Sequence, residues 1–341
     1  MTDPLVLPDF DNLPPVNGMP LGCAWGLFDK DGKKDIYGTL NLLTPSVVRA
    51  AAGEVQEGVS VSLDWPLGAI KRPGFGRTPF SHKITSFEEG PAKCYGFDDA
   101  VEFDTQVSSQ WDSLCHFNHQ PTGLAYNGIK PTKAELVQSF GNEDKEGRMP
   151  TLNHWLKRGG VVGRGVLLDY KAYADAKGIV FDPFDNHRIT VRDLEDVAAF
   201  QGTELKLGDI LLFRTGFTEH LEAMSGEEQA AALDNWRACG IDGSEEMARW
   251  LWNKHFSAVT GDAYSLEQIP PIIDGEEKTV AHLVLHPYLL SLFGMPIGEL
   301  WDLKALSEQC AKSKRWSFML TSAPLNIAGG VGSPPNALAI F

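Results

Sequence analysis

The chain has 341 residues, of which 43% are hydrophobic and 22% charged. This composition is typical of a globular protein and excludes collagen-like and fully disordered chains. Thirty basic residues against 45 acidic ones leave a formal net charge of −15. Because so acidic a surface repels phosphate backbones and anionic membranes, the sequence predicts no nucleic-acid partner and no membrane partner.

The amino terminus and the cysteines predict the cellular compartment. The first fifteen residues carry acids and prolines where a secretory signal needs basic residues followed by an apolar run. No apolar stretch approaches the roughly 18 residues of a membrane span. The five cysteines are odd in number and contain no C-x-x-C pair. These features predict a cytoplasmic protein with reduced thiols.

The chain predicts an irregular N-terminal arm over residues 1–40 and one domain over residues 41–341. The arm is rich in proline, glycine and aspartate, and no linker or repeat divides the rest. Four residues are typical helix starts, namely Thr44, Thr190, Ser244 and Asp302. Five β-branched or apolar runs predict strands, at 59–65, 161–170, 209–216, 255–262 and 316–325. The predicted fold class is therefore α/β, with helices around a buried sheet or barrel.

One segment concentrates polar side chains that carry chemistry. Gln106, Gln110, Asp112 and His116 follow one another at spacings of four, two and four residues. An extended segment would point Gln110 and Asp112 to the same side, and a helix beginning near Ser113 would bring His116 to them. A carboxylate and an imidazole beside two amides are able to hold a divalent metal or to transfer protons. The alternative is a polar strand end with an N-capping aspartate and a buried, hydrogen-bonded histidine.

A second stretch adds two candidates. His282 and His286 are four residues apart, a spacing that suits a metal pair on one helix face. Glu299 stands in an apolar, strand-like run, where a carboxylate is costly unless a cation or hydrogen bonds satisfy it. The alternative for Glu299 is a helix cap, and we interpret His282 as a surface residue.

The nine tryptophans are predicted to lie mostly in the core. Trp25 and Trp111 are the candidates for stacking on an aromatic substrate. Cys115 precedes His116, but adjacent side chains diverge, so a Cys–His nucleophile pair is not expected there.

Together these residues resemble the cyclase family of metal-dependent hydrolases, which includes bacterial kynurenine formamidase and isatin hydrolase. That family carries the motif H-x-G-T-H-x-D-x-x-x-H, followed farther along by a histidine and a glutamate. The segment from Gln106 to His116 aligns with the motif, and His286 and Glu299 match the later pair. Other family-like segments are GTLNLLTP (38–45), VLLDY (166–170), GDILLFRTGF (208–217) and AVTGD (258–262).

The resemblance implies a swivelling β/β/α barrel in homodimers or homotetramers, whose N-terminal arms reach into neighbouring active sites. It implies that Asp112, His286 and Glu299 are metal ligands and that His116 accepts and donates the proton. Gln106 and Gln110 stand where the family has histidines. Because an amide oxygen is a weaker ligand than imidazole, we expect one divalent cation, zinc or manganese, that is weakly bound or absent.

The leading functional hypothesis is hydrolysis of an amide, lactam or ester in a small aromatic molecule by a metal-activated water, with His116 as the proton shuttle and Asp112 beside it. A second hypothesis is a metal-independent cyclase or dehydratase acting on a polyketide-like or other secondary metabolite, in which the glutamines donate hydrogen bonds to carbonyls. A third is a catalytically inactive relative that only binds a small molecule.

Overall fold

The computed structural model describes residues 6–137 and 149–341, so the first five residues of the predicted arm lie outside it. Its strands in chain order are β1 Ser60–Ser62, β2 Ser81–Ser86, β3 Phe97–Glu102, β4 Gln110–Asp112, β5 Val161–Asp169, β6 Arg188–Ile189, β7 Ile210–Arg214, β8 Gly240–Ile241, β9 Ala258–Gly261, β10 Ile272–Ile273, β11 Glu276–Glu277, β12 Ile297–Glu299, β13 Ser317–Ser322, β14 Gly332–Ser333 and β15 Ala337–Ile340.

The helices lie between and around these strands. The α-helices are α1 Pro45–Ala51, α2 Lys133–Leu136, α3 Asn153–Lys157, α4 Tyr170–Lys177, α5 Val191–Gln201, α6 Phe217–Glu222, α7 Gly226–Asp234, α8 Glu245–Asn253 and α9 Lys304–Ser313. Short 3₁₀ helices span Phe10–Asn12, Gly38–Leu42, Ala52–Glu54, Tyr126–Gly128 and Val280–His282, and a π-helix spans Pro287–Phe293.

A curled, nine-stranded sheet forms the centre of the described part of the chain. Its strand order is β1-β15-β13-β5-β7-β9-β12-β4-β14. The inner strands β5, β7, β9 and β12 are mutually parallel, whereas β4 and the strands at the other end pair antiparallel to their neighbours. Parallel strands that are covered by helices on both faces typically consist of continuous apolar runs. The strand β7 is such a run, and it is buried throughout. The predicted single, barrel-like α/β domain is confirmed in this half-barrel sheet.

Local sequence signals explain where the helices start. The Thr44 hydroxyl accepts from the backbone amide of Val47. Thr190 forms a capping box with Asp193 at the start of α5, and glycine in the left-handed conformation ends that helix. The Ser244 hydroxyl accepts from the backbone amide of Met247 at the start of α8. The five runs predicted as strands all contain strands, although the first one keeps only Ser60–Ser62.

The described part of the N-terminal arm packs on its own domain. Phe10 is fully buried, and its backbone amide donates to the side chain of Asn253 at the end of α8. The Trp252 indole donates in turn to the carbonyl of Pro8, and Ala24 donates to the carbonyl of Leu292 in the π-helix. These contacts hold the arm beside the segment that begins at His286.

Two further observations bear on the expected compartment. Within residues 6–137 and 149–341, the helices are too short or too polar to traverse a lipid bilayer. All five cysteines are free thiols, four of them buried and Cys94 exposed.

Candidate active site

Two antiparallel strands near one end of the sheet bring the main candidates together. In the pairing of β4 with β12, Gln110 lies opposite Glu299, and Asp112 lies opposite Ile297. Side chains two residues apart on a strand share a face, as the sequence predicts for Gln110 and Asp112. The carboxylate of Glu299 is therefore placed beside that of Asp112 although 187 residues separate them.

The centre of the site is a buried triad. Asp112, His286 and Glu299 each offer one ligand atom, and these atoms lie within 4.8 Å of one another. The three residues are at most 5% exposed. His286 immediately precedes the π-helix, whose Pro287 lies at the first helical position. The structure thus brings together the three residues that the resemblance assigns to a metal.

His286 lies between two carboxylates. Its Nδ1 is 3.0 Å from Glu267 Oε1, and its Nε2 is 3.2 Å from Glu299 Oε1. Burial lowers the pKa of His286, but the hydrogen bonds to Glu267 and Glu299 outweigh this effect and raise it from 6.5 to about 10. Glu267 also accepts the backbone amides of Val284 and His286, so it orients the imidazole as well as its backbone.

The two glutamines form a chain of hydrogen bonds between the carboxylates. Gln106 Nε2 donates to Asp112 Oδ1 at 2.6 Å. Gln110 Nε2 donates to Gln106 Oε1 at 2.7 Å and to Glu299 Oε2 at 2.9 Å. The amide groups that replace the family's histidines therefore direct N–H donors at both acids, as charge-assisted hydrogen bonds.

His116 lies at the rim of this centre, but the predicted helix from Ser113 is wrong. The residues after β4 form a turn, in which the backbone amide of His116 donates to the carbonyl of Ser113. This turn, rather than a helix, places His116 Nε2 3.8 Å from Asp112 Oδ1. That distance is an ion-pair contact and too long for a hydrogen bond. The His116 side chain is 24% exposed, so it faces both the acid and solvent.

Two buried oxygens at this centre have no hydrogen-bond partner within the part of the chain that the structure describes. They are Asp112 Oδ2 and Gln110 Oε1. Burial raises the pKa of Asp112, His116 opposes that shift, and the carboxylate of Glu299 adds to it. Two acids and an unsatisfied carboxylate oxygen are costly to bury without a cation. Carboxylate, imidazole and amide-oxygen donors suit zinc or manganese, so the residues present fit one divalent cation.

The structure does not bring the two tryptophan candidates to the triad. Trp111 points to the opposite face of β4 from Gln110 and Asp112 because neighbouring strand residues alternate. It is fully buried, and its ring packs against those of Trp155 and Trp301. The expectation that Trp111 stacks on a substrate is therefore corrected: it is a core residue.

Trp25 and His282 bond other groups than the triad in the described part of the chain. Trp25 packs on the hydrophobic core, and its indole donates to the carbonyl of Ser291. His282 is exposed in a 3₁₀ turn, as interpreted from the sequence, and shares no helix with His286.

Glu299 ends a strand and accepts the backbone amide of Leu266, so the helix-cap alternative does not describe it.

A small cleft adjoins the triad through Gln106. Its walls include the side chains of Phe75, Arg77, Tyr264 and Leu300. The Tyr264 hydroxyl is buried and has no hydrogen-bond partner among the described residues. Gln106, which donates to Asp112, thus lines the cleft as well as the triad. The cleft has a volume of about 20 Å³, which is room for about one water.

Sequence reasoning missed Glu267, Arg77 and Tyr264. A signal existed for the first: Glu267 follows Leu266 within a buried segment, where an unpaired acid is costly. Arg77 and Tyr264 belong to no motif in the sequence. Arg77 lies in a loop and Tyr264 follows the end of β9, and only the tertiary structure brings them to the same cleft.

Comparisons with known proteins identify the family of the chain. Residues 59–268 match the Cyclase family, described as "Putative cyclase". The chain belongs to the Cyclase family. This membership classes the protein as an enzyme. No curated protein matches the sequence.

Solved structures share the fold. A crystal structure of a "novel cyclase" is 28% identical, with a TM-score of 0.77 over 94% of this chain and 99% of that one. Isatin hydrolase A from Ralstonia solanacearum is 17% identical, with a TM-score of 0.55 over 87% and 97% of the two chains. An isatin hydrolase bound to the product analogue thioisatinate is 14% identical, with a TM-score of 0.54 over 88% and 98%.

Proposed function

We propose that this member of the Cyclase family hydrolyses an amide, lactam or ester in a small aromatic molecule. The observation that carries the proposal is the buried triad of Asp112, His286 and Glu299, whose ligand atoms lie within 4.8 Å and include an unpartnered carboxylate oxygen. Such a set of donors is suited to a cation that polarises a reacting carbonyl.

In this proposal His116 is the general base and general acid. It is the partly exposed imidazole beside Asp112, with Nε2 3.8 Å from Oδ1. It takes the proton from the attacking water and returns it to the leaving nitrogen or oxygen. The Asp112 carboxylate stabilises the imidazolium that forms in between. Each turnover consumes one water and breaks one carbon–nitrogen or carbon–oxygen bond.

Asp112, His286 and Glu299 would hold the cation, with the free amide oxygen of Gln110 as a further donor. When bound, a divalent cation polarises a carbonyl and lowers the pKa of a coordinated water. The chain's own contribution is orientation. Glu267 orients the imidazole of His286 through Nδ1, so that Nε2 faces Glu299 and would turn to the cation. Gln106 and Gln110 hold the two acids in place.

A second candidate function is supported by the glutamines. Their N–H groups already satisfy one oxygen on each acid, so the site has a partner for its carboxylates without a cation. His116 and Asp112 would then act as an acid–base pair for dehydration or ring closure, with the second amide N–H of Gln106 donating to a substrate carbonyl.

The test is a hydrolysis assay on a small panel: isatin as the lactam, an aryl formamide and an aryl ester. Each is incubated with protein treated with EDTA and with protein supplied with zinc or manganese. The proposal expects turnover that EDTA abolishes and metal restores. His116→Ala should lower kcat at least a hundredfold, within the range of general acid–base contributions.

The matched control is His282→Ala, which removes an exposed imidazole away from the triad and should leave kcat unchanged. Turnover that persists unaltered in EDTA would favour the metal-independent candidate. Equal turnover by His116→Ala and the parent chain would contradict both candidates.

A further inference from the structure

A hairpin of two strands lies outside the nine-stranded sheet. Strands β2 and β3 pair antiparallel with each other and belong to no larger sheet in the described part of the chain. Every residue of β3 is exposed, and in β2 Ser86 alone is partly buried. A hairpin of two strands is only marginally stable in water unless one of its faces packs against another element. Within the described part of one chain, this hairpin therefore lacks the packing that usually stabilises such a pair.

The register of the two strands gives the hairpin two unlike faces. Residues directly opposite each other on antiparallel strands share a face, and neighbours along a strand alternate between faces. One face, which we call the apolar face, carries Ile84, Phe97 and Val101 in three successive rows. The other face carries small, polar and charged side chains, those of Ser81, Lys83, Thr85, Asp98, Ala100 and Glu102. Such alternation is typical of an antiparallel pair with one buried side.

The apolar face is nevertheless open to solvent. Phe97 is 73% exposed, Ile84 57% and Val101 51%. Together these three side chains present on the order of 300 Å² of surface to water. At the base of the hairpin, Phe80 and Phe103 flank the two strands, with ring centroids 6.4 Å apart and both rings partly buried. Contiguous apolar surface of a few hundred Å² commonly marks an interaction site.

The charges of the hairpin favour a second copy of this chain as the partner. The apolar face carries one acid among its described residues, Asp99, and the Nε2 of His82 lies 2.9 Å from its Oδ2. The opposite face carries Asp98 and Glu102 beside the single base Lys83. Two copies of a chain with net charge −15 repel each other wherever unpaired carboxylates meet. The apolar face avoids this repulsion, whereas a cationic partner would be attracted to the acidic surface instead.

We propose that the apolar face of the β2–β3 hairpin docks against the same face of a second copy of this chain. Such an isologous contact closes on itself, because each copy contributes the same patch. The two copies would bury about 600 Å² of apolar surface, twice the exposed surface of one face. Since interfaces are roughly 60% apolar, the total reaches about 1,000 Å², the size that a specific interface needs. This contact is separate from the one expected for the N-terminal arm.

Size-exclusion chromatography with light scattering measures the mass of the parent chain and of two double variants. Ile84→Asp with Val101→Asp adds two charges to the apolar face. Thr85→Asp with Ala100→Asp is the matched control, because it adds the same charges at neighbouring positions of the same strands, on the opposite face. We expect the parent chain to be an oligomer, the apolar-face variant to have half its mass or less, and the control to keep the parent's mass.

Thermal unfolding of each variant shows whether the fold is retained. If the charged apolar-face variant does not fold, Ile84→Ser with Val101→Ser replaces it, since serine removes the apolar groups from these exposed positions without adding charge. The inference is overturned if the parent chain is a monomer at every concentration, if the folded apolar-face variant keeps the parent's mass, or if the control loses mass to the same extent. Because only mass is measured, the result does not depend on the proposed hydrolysis.

Discussion

Restoring the family's two histidines should convert this site into a strong metal centre. In the parent chain, the amide nitrogens of Gln106 and Gln110 donate to Asp112 and Glu299 at 2.6 and 2.9 Å. Those hydrogen bonds occupy carboxylate lone pairs that a cation would use. Gln106→His and Gln110→His together remove the donors and place two imidazoles, better ligands for zinc and manganese, on the same side of the site.

The expected magnitude follows from these contacts. A hydrogen bond to a charged group contributes roughly 1.5–3 kcal/mol, and a cation that uses Asp112 Oδ1 or Glu299 Oε2 must compete with one such bond at each oxygen. Relieving even one of these competitions amounts to at least a tenfold gain, because about 1.4 kcal/mol corresponds to a factor of ten in affinity. With the added imidazoles, we expect the double variant to bind zinc at least about a hundredfold more tightly than the parent chain.

The assay is competition with a chromophoric chelator for zinc and for manganese, after dialysis against EDTA. Calorimetry gives the stoichiometry, for which we expect one cation per parent chain. Gln56→His is the control, because it adds an imidazole at an exposed position away from the site. It should not change the affinity of the site.

Two outcomes would refute the reasoning. If the parent chain binds two cations tightly, then the replacement of imidazoles by amides does not limit the metal site. If neither chain binds metal, the triad is not a cation site, and proton transfer through His116 becomes the leading mechanism.

Three further predictions concern single groups and assembly. Tyr264→Phe should leave the free energy of unfolding unchanged or raise it by about 1 kcal/mol in urea titrations, since the lost hydroxyl is buried and has no partner among the described residues. A loss of stability would show that the hydroxyl is satisfied in the free protein. The pKa of His286 is raised from 6.5 to about 10 in the folded chain. The contribution of the protonated imidazole to the free energy of unfolding is therefore complete below pH 6.5 and is lost as the pH rises towards 10. In metal-free protein that decline is at most about 1.4 kcal/mol per pH unit, and His286→Gln should remove it; parallel pH profiles for the two proteins would contradict the assignment. Finally, we expect light scattering to give a homodimer or homotetramer, with the arm around Trp25 at the contact, and a concentration-independent monomer mass would argue against this assembly.

The sequence predicted the local features of the site because they depend on neighbours in the chain. Alternation along an extended segment places Gln110 and Asp112 on one face and Trp111 on the other. The same rule should have excluded Trp111 from the pocket, since its neighbours on both sides face the triad. The prediction of a helix after Ser113 is wrong. A turn and the first turn of an α-helix have similar local sequences, and only the packing of the residues that follow decides between them.

What the sequence determined alone was the set of donors: two amides, two acids and two imidazoles, in an acidic chain with free thiols. Pattern and caps also specified the helix starts and the apolar strands, because these depend on contacts within a few residues. Only the tertiary structure decided which donors meet. The pairing of β4 with β12 joins Gln110 to Glu299 across 189 residues, and packing after β9 places Glu267 behind His286. The cleft with Arg77 and Tyr264 arises in the same way, since contacts between distant segments leave no periodicity in a single sequence.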